Sequence, residues 1–361
     1  RWLVSSAVLR RAWSRPQRGG GAHRAVAKKV ARTHELKGVR ASTLKGCCAR
    51  LFQGPQDKDV FRYWRPRVPT RMLTYAHVLL PAFTAGLVVP LSASRPATAL
   101  AGISLPRASG GGVVDLGAAL ASSSDDARTL IVLGTYPADF NMIEYSQRLR
   151  HYLPALRARG VSRFLLVVNG EASACTKLCE LLSLQSEVET LADPAGEAGR
   201  AFGVSRGWRP DDEGLNPFFK LYLMLFGLGP PATLPAVITG YLGNPSGRRA
   251  WIETALVQGQ RAGRWPDTVF DLSGPTPQNA FDALPLVGGW GRRPLELATL
   301  RLQNLKMSFD HWNELKPTDD RCLTQLGGCA VVGAGGEALY SWVDNGICDV
   351  ADFDDMLAEL K

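Results

Sequence analysis

Hydrophobic and polar positions along the chain alternate between two periods, and each marks an element. Thr129-Leu-Ile-Val-Leu-Gly-Thr135 is a short unbroken apolar run, the pattern of a buried strand. After Tyr136-Pro-Ala-Asp-Phe-Asn-Met-Ile-Glu-Tyr145, apolar residues recur at Leu149, Tyr152, Leu153 and Leu156, at helical spacings of three and four. A second apolar run, Phe164 to Val168, begins after Gly160. These runs predict a strand–helix–strand unit with a parallel pair. The sharp turn from the first strand into its helix leaves backbone N–H groups unpaired, which favours an anion there.

Downstream, Ala172 to Leu182 predicts a short helix, and Val188 to Leu191 a third strand closing on Asp193-Pro194. Gly196 to Phe202 predicts a further helical turn ending at Gly203. Near the C-terminus, Cys329 to Gly333, the turn Ala334 to Glu337 and Ala338 to Val343 predict a hairpin. Asp352 to Leu360 predicts a closing amphipathic helix.

Between these parts lies a long insert, residues 205–320. Asn216 to Phe226 predicts a helix with Pro217 at its N-terminal edge, stopped by Gly229-Pro-Pro231. Leu234 to Tyr241 and Leu295 to Phe309 predict two more helices. The first is apolar on nearly every face (Phe218, Phe219, Leu221, Leu223, Leu225, Phe226), which suits a buried core helix or a docking surface for a membrane or protein partner. It is too short to span a bilayer.

Charge divides the chain rather than describing it. Of the formal +9, residues 1–71 hold 18 Lys and Arg against three acids (Glu35, Asp57, Asp59), a balance of +15. The remainder has 24 basic and 30 acidic residues, a balance of −6. An Arg-rich, acid-poor N-terminus reads as an organelle transit segment, and binding of nucleic acid is not expected. Met72 to Ser94 carries no formal charge and is followed by Ala99-Leu-Ala101, a small-x-small cleavage pattern. Together they predict a bipartite targeting leader over 1–101, directing the protein to a plastid and onward to a thylakoid lumen or through an outer envelope. Membrane association through 72–94 is the alternative if that segment is retained. The Ala-, Ser- and Gly-rich stretch 102–125 predicts a linker or a loosely packed entry to the domain, and 126–361 the folded domain.

Chemistry-bearing residues are sparse. Seven cysteines are too few for a disulfide framework in 361 residues. Cys47 and Cys48 fall in the leader; Cys175, Cys179, Cys329 and Cys348 are the redox candidates, with Cys322 the remaining thiol. Cys175 and Cys179 share a helical face, whereas Cys329 and Cys348 flank the hairpin. None has neighbours at metal-ligand spacing, so no metal is expected. Only His151 and His311 lie in the folded part, which leaves little for a Ser-His-Asp site. Gly333-Ala-Gly-Gly336 lacks the strand and helix of a dinucleotide site, and no cofactor is expected.

The loop Tyr136-Pro-Ala-Asp-Phe140, leading into a helix, resembles the active-site loop of peroxiredoxins, the thioredoxin-fold AhpC/TSA group. Asp193-Pro-Ala-Gly196 with Ala201-Phe-Gly-Val204 resembles its continuation. Glu296-Leu-Ala-Thr-Leu-Arg-Leu-Gln-Asn304 resembles an insert of cyanobacterial and plastid members. The resemblance covers about 128–361. It implies an α/β fold, a thioredoxin-like sandwich with a central mixed sheet flanked by helices, plus an α-helical insert before the last β-hairpin. Those enzymes carry Pro-x-x-x-Thr-x-x-Cys, whose thiolate attacks peroxide. Aligned on Pro137, the threonine position is Asn141 and the cysteine position is Glu144. A carboxylate suits a helix N-terminus but cannot form a sulfenic acid. Asn141 is expected as a helix cap. The family's arginine is expected near Leu326, where none stands; Arg321 is the nearest alternative, and Arg301 is a residue of the insert that can reach in.

The expected function is therefore a plastid redox or antioxidant protein that lacks peroxidase activity and acts as a binding or redox-sensing module. Two alternatives stand beside it. One is a thiol oxidoreductase using Cys175/Cys179 or Cys329/Cys348. The other is an accessory subunit attached to a protein partner or thylakoid complex through 205–320.

Overall fold

A computed structural model of the chain describes residues 95–121, 127–265 and 269–360. The basic leader, the apolar segment 72–94, Cys47 and Cys48 lie outside the described residues.

Five strands form the central sheet: β1 (Arg128–Leu133), β2 (Val161–Val168), β3 (Val188–Ala192), β4 (Gly328–Val332) and β5 (Ala338–Val343). Their spatial order is β3-β2-β1-β4-β5. The first three run parallel, while β4 is antiparallel to β1 and β5 to β4. Strand β1 sits in the middle with both faces covered, which is why its sequence is an unbroken apolar run rather than an alternating one.

Alternate residues of the central strands serve opposite faces. Leu130, Val132, Phe164, Leu166 and Val168 meet helix α1 (Phe140–Ala158) through Ile143, Leu149 and Leu153. Ile131, Leu133, Leu165 and Val167 meet Phe202 of α3 (Glu197–Phe202). Helix α2 (Ala172–Leu182) adds Cys175, Leu178 and Leu182 to the first face.

The second face also receives the residues whose composition predicts a linker. Residues 104–106 and 113–115 pair as a small antiparallel ribbon, followed by a helix over Leu116–Ala121. Leu100, Leu105, Val114, Leu116 and Leu120 are buried beneath the sheet. The Ala, Ser and Gly content conceals these well-spaced apolar side chains, while Gly110, Gly111 and Gly112, all at positive φ, turn the ribbon. The Ala99-Leu-Ala101 pattern thus surrounds a fully buried leucine.

Among the described residues, the insert contributes four longer helices, α4 (Pro217–Leu225), α5 (Thr233–Leu242), α6 (Ala250–Arg261) and α7 (Glu296–Asp310), and a single helical turn at Trp312–Leu315. Helix α6 has no counterpart among the sequence expectations. Its signal is the stripe Trp251, Ile252, Ala255 and Leu256, which joins the main core. An ionic knot around the buried Arg293 holds the far side of the insert: Arg293 bonds the buried Glu296 at 2.5 Å and the half-buried Glu253 at 2.8 Å, and also pairs with the exposed Asp282. The chain closes with α8 (Phe353–Glu359) against α1.

Helix α4 does not behave as a core helix. Only Lys220 and Met224 are buried, while Phe218, Phe219, Tyr222 and Phe226 are exposed. Leu234, Ile238, Tyr241 and Leu242 of α5 are exposed as well. Among the described residues, no helix is long and apolar enough to cross a membrane.

Candidate functional site: the start of helix α1

The site grows from the junction of β1 and α1. Asp139, not Asn141, is the N-cap: its carboxylate accepts from the backbone N–H of Asn141 at 3.2 Å and from the Thr135 hydroxyl at 2.6 Å. A carboxylate of the chain itself therefore fills the anion-favouring position at the helix start. Burial outweighs these donors and raises Asp139 to a pKa of about 6.

Asn141, in the first turn, works as a tie. Its Nδ2 donates to Asp344 at 2.7 Å and to the Gly346 carbonyl at 3.2 Å, and its Oδ1 accepts from the Cys348 N–H at 2.7 Å. Tyr145 donates to the other Asp344 oxygen at 2.6 Å. Burial pushes Asp344 up to about 8, beyond what these donors offset. Pro137 is buried and its ring lies where a Cβ on Gly170 would stand 2.9 Å away, so residue 170 must be small.

Glu144 is fully enclosed, 1 % exposed. Arg148, one turn along α1, donates to one oxygen at 2.6 Å, and Arg301 of α7 donates to the other at 3.3 Å. Burial alone would raise this carboxyl; the two guanidinium groups outweigh it and hold the pKa below the ordinary glutamate value. Arg148 also lies over the ring of Trp251 at 4.5 Å and donates to the Ala351 carbonyl at 2.6 Å. The sequence signal for Arg148 is its i, i+4 spacing from Glu144.

Helix α7 forms the lid of this site. Arg301, Asn304 and Ser308 share one face at spacings of three and four. Asn304 exchanges two hydrogen bonds with Gln147, and Ser308 donates to the Ala138 carbonyl at 2.8 Å. Beyond them Trp312 meets Tyr136 edge-on at 6.3 Å and Phe218 at 5.7 Å. The insert therefore closes over the very loop that resembles a peroxiredoxin's.

Of the three arginine positions considered, Arg301 is the one that arrives. Leu326 is buried among Met224, Ile347 and Cys348, and Arg321 pairs at the surface with Asp319 at 2.6 Å.

The redox candidates are all free thiols, as is Cys322. Cys175 contacts the Gly170 carbonyl at 3.5 Å, and Cys179 shares a hydrogen bond with Thr190 at 3.3 Å. Burial raises every one: Cys322 and Cys348 to about 12, and Cys175, Cys179 and Cys329 above the ordinary value. Two thiols border the site: Cys329 lies against Tyr145 and Asp344, and the Cys348 carbonyl accepts from Arg301 at 3.1 Å, its backbone held at φ +68°. A nucleophilic cysteine needs a thiolate in a partly open, electropositive setting. Cys348 has the guanidinium but is buried. His151 bonds Thr254, and His311 pairs with Glu314 at 2.6 Å; neither joins the site.

A mixed five-stranded sheet with a parallel βαβ half, a closing antiparallel hairpin and helices on both faces defines a thioredoxin-like α/β protein. The family model described as "AhpC/TSA antioxidant enzyme" matches residues 148–346, more than half of the chain, and the chain belongs to that family. The family points to a peroxiredoxin-like redox function. The matched region begins four residues beyond Glu144 and takes in Arg301, Asn304 and Asp344. No curated protein and no solved structure matches the chain.

Proposed function

We propose that this chain is a non-peroxidatic member of the family, acting in a plastid as a binding module rather than as a peroxidase. The observation that carries the reading is Glu144: an enclosed carboxylate, gripped by Arg148 and Arg301, at the position the resemblance gives to the peroxide-attacking sulfur. A carboxylate has no route to a sulfenic acid. The raised pKa of all five thiols favours binding over rapid redox sensing.

The binding surface in this reading is the insert, 205–320. Helices α4 and α5 turn aromatic and aliphatic side chains outward, and between residues 214 and 247 the only charged side chain is Lys220, which is buried. An apolar face of this kind marks a docking site for a protein partner, such as a subunit of a thylakoid complex. Targeting to the plastid rests on the basic, acid-poor leader.

Hydroperoxide consumption with a dithiol reductant tests the reading. The expected result is no consumption above the protein-free rate. Turnover that disappears in Cys348→Ser, or in Cys179→Ser, would instead establish a thiol oxidoreductase.

A further inference from the structure

Helix α6 has two working faces. Trp251, Ile252, Ala255 and Leu256 join the main core, while Val257 and Arg261 line an open groove of about 960 Å³. Helix α1 gives Arg150 and His151 to the same groove, and Pro277 comes from the short ribbon that pairs 270–271 with 278–279. Contacts join these parts. Arg150 donates to the Thr254 carbonyl of α6 at 3.1 Å, and His151 shares a hydrogen bond with the Thr254 hydroxyl at 2.9 Å. Arg150 also reaches the Leu182 carbonyl at 3.4 Å, and Arg264 donates to the adjacent Leu181 carbonyl, so two guanidinium groups sit on consecutive carbonyls at the end of α2. Arg261 stands seven residues beyond Thr254, about 10 Å along α6, a span that two extended arginine side chains can bridge.

Charge is unevenly spread along the groove. Near the start of α6, Glu253 and Asp282 line it, but both are bound to the buried Arg293, and Glu253 also takes Arg249 at 3.0 Å. Arg150 and Arg261 have no carboxylate partner among the described residues. The Nε of Arg150 is buried without a hydrogen-bond partner, and burial lowers its pKa with no acid offsetting it. Arg261 is exposed and makes neither a side-chain hydrogen bond nor an ion pair among the described residues. Asp354, the acid that acts on His151, is held by Tyr152 and Arg248 at 2.7 and 2.8 Å. The groove has the size of a small-molecule site and is far larger than an inorganic ion needs.

We propose that this groove binds a small organic anion, its acidic headgroup held by Arg150 and Arg261 and its apolar body lying along Val257 and Pro277. Planar guanidinium forks match the paired oxygens of a carboxylate or phosphate. Glu253 and Asp282 disfavour the reversed orientation, which would bring like charges together. The site is separate from the docking face, since none of its lining residues belongs to α4 or α5.

The test is calorimetric titration of the full chain with three probes that share one aromatic body: 2-naphthoate, 2-naphthyl phosphate and the uncharged 2-naphthamide. At least one anion is expected to bind about tenfold tighter than the amide, and the tighter anion identifies the headgroup. Arg261→Gln surrenders no side-chain bond, so it is expected to keep the wild-type urea midpoint and to lose about tenfold in affinity for that anion. Arg150→Gln gives up two carbonyl bonds, so its loss is read against naphthamide, whose binding it should leave unchanged. No saturable heat from either anion, naphthamide bound as tightly as both, or an affinity that survives in Arg261→Gln would overturn the proposal.

Discussion

Gln147 on α1 and Asn304 on α7 exchange two side-chain hydrogen bonds, at 2.8 and 3.1 Å, inside the protein. This amide pair stitches the insert to the helix that begins the site. Each partner satisfies the other, so removing one leaves the remaining amide with unmet groups in a dry setting. Asn304→Ala is expected to cost about 1–3 kcal/mol, and replacing both residues by Leu to cost clearly less than the two single changes together. Urea unfolding midpoints check this. Equal and additive losses would mean that the pair does not couple insert and core.

Asp344 sets a pH dependence whose sign follows from its surroundings. Buried between Asn141 and Tyr145, it titrates at about 8 in the folded chain, against roughly 3.9 in an unfolded one. Between those values the folded chain holds a proton that the unfolded chain has released. Stability contributed by this group therefore falls as pH rises from about 4 to about 8, by at most about 1.4 kcal/mol per pH unit. Asp139 acts with the same sign but only up to about 6. Glu144, held low, acts oppositely, and its contribution is lost in acid below roughly 4.3. Over pH 6–8 the difference in slope between wild type and Asp344→Asn isolates Asp344 from the other titrating groups, among them His151, whose pKa burial lowers. Parallel curves would contradict the burial of a protonated Asp344.

The five cysteines between 175 and 348 are expected to resist an aromatic disulfide reagent at neutral pH in the native domain and to react together in denaturant. Four are buried, Cys179 is half-buried, and a raised pKa in all five leaves almost no accessible thiolate. Prompt labelling of Cys348 or Cys179 would show that the domain opens there.

Leu100 gives a test at the edge of the fold. It is fully buried with Leu116 and Leu120 under the second face of the sheet. Leu100→Ala is expected to cost about 2–5 kcal/mol. Cleavage after Ala101 should destabilise the domain in the same way. A domain of unchanged urea midpoint after either treatment would show that this segment contributes nothing to the core.

Much of the sheet was legible because both faces of β1 and β2 are covered, which forces continuous apolar runs. Helices α2 and α7 announce themselves through spacing and match their expected spans to within a residue or two. The linker expectation failed because composition averages away the few large residues, Leu105, Leu116 and Leu120, that do the packing. The site was half legible. Pro137, Asn141 and Glu144 stand together at one helix start, yet no local pattern reveals that Arg301, more than 150 positions downstream, bonds the same carboxylate. Helix α4 misleads in the other direction: an all-round apolar helix reads as core, and only the fold shows its aromatic side facing out.

The most direct measurement is a double-mutant cycle on Glu144 and Arg301, read by urea unfolding. The pair is enclosed and joins α1 to the insert. Glu144→Gln leaves Arg148 and Arg301 without their countercharge and is expected to cost about 3–5 kcal/mol. Adding Arg301→Met should recover at least about 1 kcal/mol of the summed single losses. Strict additivity, or a Glu144→Gln variant as stable as the wild type, would contradict the account that an arginine of the insert locks this carboxylate in place.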